Sequence, residues 1–474
     1  MSNQERFFER LTALFIVLPC LCLFVGWLKW PFALLVCGIL VMSVNWDLKE
    51  TPGAIPERPF DLSTSLLLWF FLIAFVMVWL SGIGGRGVQY WDYFKHNAVL
   101  NDLINHSWPV RYPGPDQKSL FLVHSLPYYL IPALVGKMGG WKMANGCALF
   151  LGVIGLWLTF IWFALLVEKR THWLPIFFMA AGGLDFLGRF MLSGQFPALS
   201  GDSQWWGVPW QYSANSTLLF YVPHHALSGW LLTGFLLHRK MKEGVIRNGL
   251  FWCMLGFCWS PFVCLGLLPF VILSHWGYPL RKAATLQNVV SAPVIFLIMA
   301  AFYSSRNISD PHGWIWYGQS GVLRLLYHYV VFILLEVGVY VILLSPDVFR
   351  KKDGLQMAWR ISFGVLALLP LYHFGEWNDL VMRASIPSLF ILWVMVARTL
   401  FSDAPAYHLK PILLVCCLGA MTAFAHIADG VKTASRFHFY TVMAPMDLSQ
   451  MPEGKIYMGK GDSYFFTHLA RSVE

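Results

Sequence analysis

The chain has 474 residues, of which 57% are hydrophobic and only 12% are charged, whereas a soluble domain is about 25% charged. This composition excludes a soluble globular protein and predicts an all-α integral membrane protein. The net charge of +9 is spread in small groups between apolar runs, so it indicates loop orientation and not a nucleic-acid-binding face.

Apolar runs recur along the chain as far as residue 428, and a helix needs about 20 apolar residues to cross the hydrocarbon core. We therefore predict a transmembrane unit over residues 1–428 with about thirteen crossings, followed by a short tail, 429–474. Ser260 and Pro261 interrupt one run, which is interpreted as a hairpin of two short helices. The predicted spans are 10–28, 30–46, 64–83, 143–167, 173–192, 217–237, 249–260, 261–276, 284–303, 323–345, 358–373, 384–401 and 410–428.

The short loops rich in lysine and arginine fall on one side of the membrane under this count, and the positive-inside rule places that side in the cytoplasm. The opposite side then receives all the long polar segments. We expect a multi-pass protein of the bacterial inner (plasma) membrane with its site on the extracytoplasmic face. The segments on that face are 84–142, 193–216, 304–322, 374–383 and the tail.

The loop 84–142 is the most polar and aromatic stretch of the chain. Its segment 93–104 has apolar residues at helical spacing and is typical of an amphipathic helix at the membrane interface. Asp92 precedes that segment among tyrosine and tryptophan side chains, where desolvation would raise its basicity. Asp92 is therefore a candidate general base, with Lys95 and His96 next to it; the alternative is that Asp92 only caps the helix that follows.

Asp185 lies deep in the fifth predicted span, and Arg189 follows four residues later on the same face of a helix. Charged groups inside a membrane are costly and mark functional sites, so both are candidate site residues. The alternative is a mutually neutralising pair that fixes two helices. Gly182 and Gly183 would allow another backbone or a lipid chain to approach closely.

The segment 201–230 combines tryptophans with amide, hydroxyl and histidine side chains. Aromatic rings next to polar groups suit a sugar, and Trp206, Tyr212 and His224 are the candidates in this segment. An aromatic belt at the interface is the alternative for the tryptophans. Of His224 and His225, one is expected to be a satisfied core histidine.

Acidic and basic residues also meet in the turn 374–383. Asp379 can cap the following helix and can pair with Arg383 at i, i+4. That interpretation does not explain the choice of arginine, which is a preferred phosphate ligand. Glu376, Asp379 and Arg383 are therefore candidates for binding an anionic substrate.

The segment YWDYFKHNAVLNDLINHSWPVRYP, residues 90–113, resembles the GT-C superfamily of membrane glycosyltransferases. The resemblance rests on an Asp, a His a few residues on, a later Pro-rich turn, and a large extracytoplasmic loop in a chain with many spans. It implies that Asp92 takes the position of the catalytic acid, that Asp185 and Arg383 are secondary site residues, and that the donor is a sugar on a polyprenyl phosphate. The chain departs from the family because its large loop follows the third span instead of the first, and because the short tail stands in place of a large soluble C-terminal domain.

We therefore expect a glycosyltransferase that moves a sugar from a polyprenyl-phosphate-linked donor to a lipid-linked or envelope glycan, in contact with membrane lipid and without nucleic acid. Asp92 and Asp185 are the expected catalytic residues. The sequence assigns no cofactor. Asp92 and Asp185 could share a divalent ion (Mg²⁺ or Mn²⁺), but a cationic side chain would do the same work. The expected substrate-binding residues are Lys95, His96, Arg189, Trp206, Tyr212, His224, Glu376, Asp379 and Arg383.

The alternatives are a lipid-linked glycan flippase or transporter, and a glycan polymerase or ligase. A flippase should show internal repeats and charges near the midplane of several spans. Charge inside the predicted spans is sparse and the polar residues gather on one face, which favours an enzyme.

Overall fold

The computed structural model describes residues 2–49, 61–114, 118–195, 203–207, 209–276, 278–306, 310–317, 321–344, 346–349, 354–436 and 446–472. Parts of the predicted loops 193–216 and 304–322 lie outside these residues, as does most of the basic connector 349–354.

Helices dominate the described chain. They are α1 (Asn3–Trp27), α2 (Trp30–Lys49), α3 (Thr64–Leu80), α4 (Asp92–Asn105), α5 (Pro127–Val167), α6 (Trp173–Ala180), α7 (Asp185–Ser193), α8 (Asn215–Tyr221), α9 (Pro223–Glu243), α10 (Gly249–Trp259), α11 (Pro261–Ser274), α12 (Leu280–Ala283), α13 (Ala292–Ser304), α14 (Val322–Ile333), α15 (Val339–Leu343), α16 (Leu355–Leu368), α17 (Asp379–Ala384), α18 (Ile386–Leu400), α19 (Ala406–Gly419) and α20 (Met421–Arg436). The short 3₁₀ or π segments are Ile83–Gly85, Ser203–Gly207, Gln287–Ser291, Leu334–Gly338, Pro346–Phe349, Leu369–Leu371, Leu448–Gln450, Gly454–Tyr457 and Phe465–Leu469.

In the described part of the chain, six helical segments are long and apolar enough to cross a membrane, or seven if the bent pair α19–α20 is one crossing. The prediction of a helical membrane protein is confirmed, whereas the number of about thirteen crossings is not confirmed. The six segments are Asn3–Trp27, Trp30–Lys49, Pro127–Val167, Trp173–Ser193, Gln287–Ser304 and Val322–Leu343, and the shorter apolar helices are Thr64–Leu80, Gly249–Trp259, Pro261–Ser274, Leu355–Leu371 and Ile386–Leu400.

The fifth predicted span, 173–192, is broken in its middle. Residues 181–184 are not helical, and they separate α6 from α7. Neighbouring helices satisfy the freed backbone groups, as an interruption at membrane depth requires: the Gly182 carbonyl accepts from the Tyr340 hydroxyl at 2.7 Å, and the Leu184 N–H donates to the Leu335 carbonyl. A side chain at Gly183 would collide with the Glu336 carboxylate, which explains why this position has no Cβ.

A helix is present over the predicted range 93–104 as α4, which packs against α5. Its polar residues Lys95, His96, Asn97 and Asp102 are buried, unlike the exposed polar face of an interfacial helix. Two small antiparallel sheets accompany α4. One has the order β1 (Arg111–Pro113), β2 (Ser119–Leu122), β5 (Met458–Lys460), and the other pairs β3 (His312–Trp314) with β4 (Tyr372–Phe374). Because β5 belongs to the tail and β2 to the first loop, the tail is held against that loop; Leu122 lies opposite Met458 in the pairing.

Charged residues at the other end of the helices are buried, contrary to the sparse charge expected from the sequence. Arg239 belongs to α9 and not to a loop, and its guanidinium contacts Glu9 of α1 at 3.0 Å and Asp47 of α2 at 2.6 Å. Trp252 and Asn248 also donate to Asp47. These contacts neutralise the buried arginine and join α1, α2 and α9 on the side expected to be cytoplasmic.

Candidate active site

Asp92 is the first residue of α4, so Trp91 occupies the N-cap position. The Asp92 carboxylate accepts a hydrogen bond from Lys95 Nζ at 3.0 Å, and within the described residues no backbone N–H donates to it. The two side chains are 30% and 9% exposed. Asp92 is therefore part of a mostly buried ion pair, and the capping interaction is not formed.

The electrostatics of Asp92 contradict the raised basicity expected from its aromatic neighbours. Burial disfavours the ionised carboxylate, but the positive charges of Lys95 and Arg383 outweigh it and hold the Asp92 pKa below its usual value. The carboxylate is thus ionised at neutral pH. The sequence showed the aromatic residues but not the approach of Arg383, which comes from a distant helix.

His96 follows on the same helix, and both of its ring nitrogens are occupied. Nε2 lies 2.8 Å from the Tyr221 carbonyl and Nδ1 lies 2.5 Å from the Tyr129 hydroxyl. A carbonyl only accepts, so Nε2 carries the proton and Nδ1 accepts from Tyr129. Burial and the charge of Lys95 lower the His96 pKa to about 3. His96 is therefore a neutral side chain that positions α4 against α5 and α8.

Arg383 reaches this region from the short helix α17. Its guanidinium pairs with Asp379, which confirms the predicted i, i+4 contact, while Glu376 is exposed. The Arg383 side chain is 14% exposed, and its buried Nε has no hydrogen-bond partner among the described residues. Burial lowers the Arg383 pKa, and Asp92 opposes that shift. Arg383 is thus a mostly buried cation whose Nε–H is free to donate a hydrogen bond to a ligand.

Histidines surround the space between these charges. The expectation that one of the neighbouring pair is satisfied holds for His225, whose Nδ1 lies 2.7 Å from Ser260 Oγ. His224 is completely buried, and neither of its nitrogens has a partner in the described structure. Its ring lies 5.1 Å from that of His96 and 5.5 Å from that of His124. These unused nitrogens are available to a ligand.

Two residues of this site were not predicted from the sequence. His124 lies between β2 and α5, and its ring is 5.2 Å from that of Tyr457 in the tail. Lys95 Nζ is 5.8 Å from the centre of the Tyr457 ring. Tyr457 directly precedes β5. Its place in the site follows from the pairing of β5 with β2, which the sequence does not show.

A cavity of about 30 Å³ lies beside the cluster, lined by His96, Tyr128, Tyr129 and Pro223 among others. This volume accommodates a water molecule but not a sugar. Of the candidate site residues, His96 lines this cavity, whereas Asp92, Lys95 and Arg383 do not. The tail residue Tyr457 lies against His124 and Lys95.

Asp185 lies in a second, separate centre. Its carboxylate accepts from Gln204 Nε2 and Thr422 Oγ1, both at 3.0 Å, and Trp206 Nε1 lies 3.3 Å from Asp185 and 3.1 Å from Glu336. Asp185 and Glu336 are both completely enclosed. The carboxylates of two helices therefore meet around one indole N–H.

The partners expected for Asp185 are corrected by this geometry. Arg189 is exposed and does not pair with Asp185, because the break before α7 turns the carboxylate inward. Trp206 and Tyr212 are buried, and the Tyr212 hydroxyl donates to the Leu366 carbonyl. Among the described residues, neither Asp92 nor Asp185 belongs to a group of three or more His, Cys, Asp or Glu side chains with metal-binding spacing.

Comparison with known proteins did not identify a family. A scan against protein-family models, a search of curated proteins and a search of solved structures found no match. Function is therefore inferred from the geometry of the chain itself.

Proposed function

We propose that this chain is a membrane glycosyltransferase that moves a sugar from a polyprenyl-phosphate-linked donor to a lipid-linked or envelope glycan. The observation that carries the proposal is the cluster of Asp92, Lys95 and Arg383. It combines one ionised carboxylate with two mostly buried cations, and Arg383 retains a buried, unpartnered N–H. A general base beside phosphate ligands is the arrangement that this reaction needs.

The reaction joins the acceptor oxygen to the anomeric carbon of the sugar and breaks the bond from that carbon to the phosphate oxygen. The phosphate leaves with the bonding electrons, and Arg383 and Lys95 stabilise its charge. The proton of the acceptor hydroxyl passes to Asp92. A carboxylate with a lowered pKa accepts this proton late, because the hydroxyl becomes strongly acidic only after its oxygen has begun to bond to carbon.

Histidine nitrogens beside the Asp92 cluster provide the remaining contacts to the substrate. His224 offers two buried nitrogens and His124 one, and a neutral imidazole both donates and accepts. Sugar hydroxyls and phosphate oxygens require such donors and acceptors.

The proposal includes a topology. The six longer segments, the five shorter apolar helices and the bent pair α19–α20 give thirteen crossings together with α9 (Pro223–Glu243). This number puts α4 and the tail on the extracytoplasmic face of a bacterial inner membrane. The donor lipid tail lies in the bilayer and its phosphate meets α4 at the interface. Membrane embedding therefore brings a lipid-linked donor to Asp92 without removing it from the bilayer.

The test is transfer by the purified protein in liposomes with a panel of polyprenyl-phosphate sugars, followed by mass spectrometry of the product. We expect wild-type protein and an Asp462→Asn variant to transfer, since Asp462 is a surface carboxylate of the tail, and Asp92→Asn to be inactive while keeping its unfolding temperature. Turnover by Asp92→Asn at the wild-type rate would remove Asp92 from the reaction, and no turnover by wild type with any donor would refute the function.

The second candidate is a transporter of a lipid-linked glycan, and one observation favours it. The interrupted segment between α6 and α7 and the π segment Leu334–Gly338 bring Asp185 and Glu336 together, and discontinuous helices with buried ionisable groups are typical of transporters. Reconstitution with a fluorescent lipid-linked glycan separates the two functions: movement between leaflets that is lost in Glu336→Gln but kept in Asp92→Asn would favour the transporter.

A further inference from the structure

A third group of ionisable side chains lies where α4 meets the tail. Asp102 and His106 are four residues apart at the end of α4, and Asp447 immediately precedes the tail segment Leu448–Gln450. One ligand atom from each of the three side chains lies within 4.8 Å of the other two. None of these residues takes part in the proposed glycosyl transfer.

Asp102 has an oxygen that the protein does not use. The residue is completely buried, and its Oδ2 accepts from the Tyr112 hydroxyl at 2.5 Å and from the Leu448 N–H at 3.1 Å. Its Oδ1 is buried without a hydrogen-bond partner in the described residues. An unpartnered carboxylate oxygen in a closed site is costly unless a cation or a proton meets it.

A second carboxylate, that of Asp447, lies beside Asp102. Its Oδ1 accepts a hydrogen bond from Asn101 Nδ2 at 3.1 Å. Lys137 is nearby, but its ammonium contacts the carbonyls of Ile104 and His106 and not the carboxylates. Arg111 lies on β1 beside Tyr112 and bonds Ser119. In the described part of the chain, no cationic side chain therefore forms an ion pair with Asp102 or Asp447, although the two carboxyl groups lie close together.

We propose that Asp102, His106 and Asp447 bind a divalent cation of the Zn²⁺ or Mn²⁺ type. Two carboxylates and one imidazole are a ligand set used by these ions, with bonds of about 2.1 Å, and the 4.8 Å spacing contracts to that geometry by small side-chain rotations. Imidazole makes Mg²⁺ a poor competitor. Water completes the coordination on the side of His106, which is only partly buried.

The cation connects the tail to the first loop. Two of its ligands belong to α4, the third belongs to the tail, and the Leu448 N–H already bonds the same Asp102. Binding therefore stabilises the docked tail, which also carries Tyr457. This inference does not depend on the glycosyltransferase proposal. Its residues lie outside the Asp92 cluster, and its test measures metal binding and not sugar transfer.

The test uses purified full-length protein stripped with EDTA. Isothermal titration should show one site for Zn²⁺ or Mn²⁺, and Mg²⁺ should bind at least about tenfold more weakly. Amide hydrogen exchange should become slower in residues 446–450 when the metal is added. Absence of a stoichiometric site for either ion overturns the proposal.

Two variants identify the ligands. His106→Ala removes one ligand without touching the bonds of Asp102, so affinity should fall by about tenfold or more while the metal-free unfolding temperature is unchanged. Asp447→Asn should lower affinity similarly. The matched control is His312→Ala, an exposed histidine, which should bind like wild type. Unchanged metal affinity in His106→Ala overturns the site. The site is also overturned if Asp102 and Asp447 only share a proton, in which case wild type binds no metal and Asp447→Asn raises the stability of the protein.

Discussion

At the scale of single residues, the distinctive property of the Asp92 cluster is that its cations are mostly buried. Lys95 and Arg383 have side chains that are 9% and 14% exposed, and each is already paired with an aspartate. The desolvation of a buried ion pair offsets much of the attraction between its charges, so two such pairs at one place contribute little to the stability of the fold. Buried cations of this kind can bind an anionic ligand strongly, because little water screens their charge.

Asp92→Asn should lower the transfer rate by about 100-fold or more, since general base catalysis contributes this much. The amide keeps the shape of the side chain but cannot accept the proton. Because the Asp92 pKa is lowered, the wild-type rate should stay constant on acidification to about pH 5, above the ordinary aspartate pKa of about 3.9. The rate of Asp92→Asn relative to wild type measures the first effect, and the rate–pH profile of wild type measures the second. A wild-type rate that falls between pH 7 and pH 5 without loss of protein would contradict the low pKa.

Arg383→Lys should slow transfer and weaken inhibition by a polyprenyl phosphate, because lysine cannot reproduce a bidentate contact. Arg383→Ala should cost about 10²–10³-fold in rate. Asp379→Asn keeps an acceptor for the guanidinium and serves as the control, with a loss below about tenfold. Equal effects of Arg383→Ala and Asp379→Asn would mean that Arg383 only supports the helix end.

His96 should make the fold sensitive to acid. Its pKa is about 3 in the folded chain and about 6.5 when unfolded, so the unfolded state binds the extra proton between these values. The stabilising effect of neutral His96 is complete above about pH 6.5 and is lost as the pH falls towards 3. The unfolding temperature should drop between pH 7 and pH 5, and the drop should be smaller in His96→Gln; parallel slopes would assign the sensitivity to other groups.

Residue patterns predicted part of this site. The pairing of Asp379 with Arg383 followed from their i, i+4 spacing, and Asp92, Lys95 and His96 were found because they lie together in one polar stretch. Glu336 was not found, because a single acid in an apolar run has no local pattern that distinguishes it. The direction of the Asp92 pKa was predicted wrongly because the aromatic neighbours were weighed and the ion pair with Lys95, which lowers that pKa most, was not.

At the scale of elements, the tail is the part that sequence reasoning described least. The amphipathic period of 93–104 predicted α4 because a helix face is a local property. The pairing of β5 with β2 is not local, and strands of three and four residues are too short to show an alternating pattern. Likewise, Gly182 and Gly183 suggested a close approach of a neighbour, but not the interruption of the helix.

Tail docking should depend on Gly459. A Cβ there would lie 2.5 Å from Val123 Cγ2 and 2.9 Å from the Ser305 carbonyl, so Gly459→Val forces β5 away from the loop. We expect faster amide exchange in residues 446–460 and a lower transfer rate, because Tyr457 and the Leu448 contact are displaced. Gly313→Val is the matched control, since Gly313 is also in a strand but has open space at Cβ. Identical exchange in the two variants would show that the tail docks without this contact.

At the scale of the whole molecule, the composition predicted a helical membrane protein but not the number of crossings. Several apolar helices are only 10–17 residues long, shorter than the 20 or so residues that span a bilayer. Hydropathy cannot tell whether such helices cross, re-enter or pack inside the protein. The charge inside the bundle was also underestimated, because Glu9, Asp47 and Arg239 lie at helix ends where sequence suggested loops.

The topology can be tested with two cysteine variants on intact cells. The proposed topology places Arg281 in a basic connector on the cytoplasmic side, so Arg281→Cys should be protected from an impermeant thiol reagent and Glu376→Cys should be labelled. Both side chains are exposed in the fold, so access depends only on the side of the membrane. Labelling above the background of the native cysteines in Arg281→Cys, with protection of Glu376→Cys, would invert the molecule and place the Asp92 cluster in the cytoplasm.

The bond from Leu448 to Asp102 joins residues that are 346 positions apart in the chain. During synthesis at about 5–20 residues per second, the ribosome releases α4 and β2 long before the partner strand exists. For that interval the nascent loop presents an unpaired strand edge, which invites wrong pairing with other chains. The chain between α4 and the tail must therefore be inserted before this sheet is complete, and chaperones that bind nascent membrane proteins have time to act on the unfinished loop.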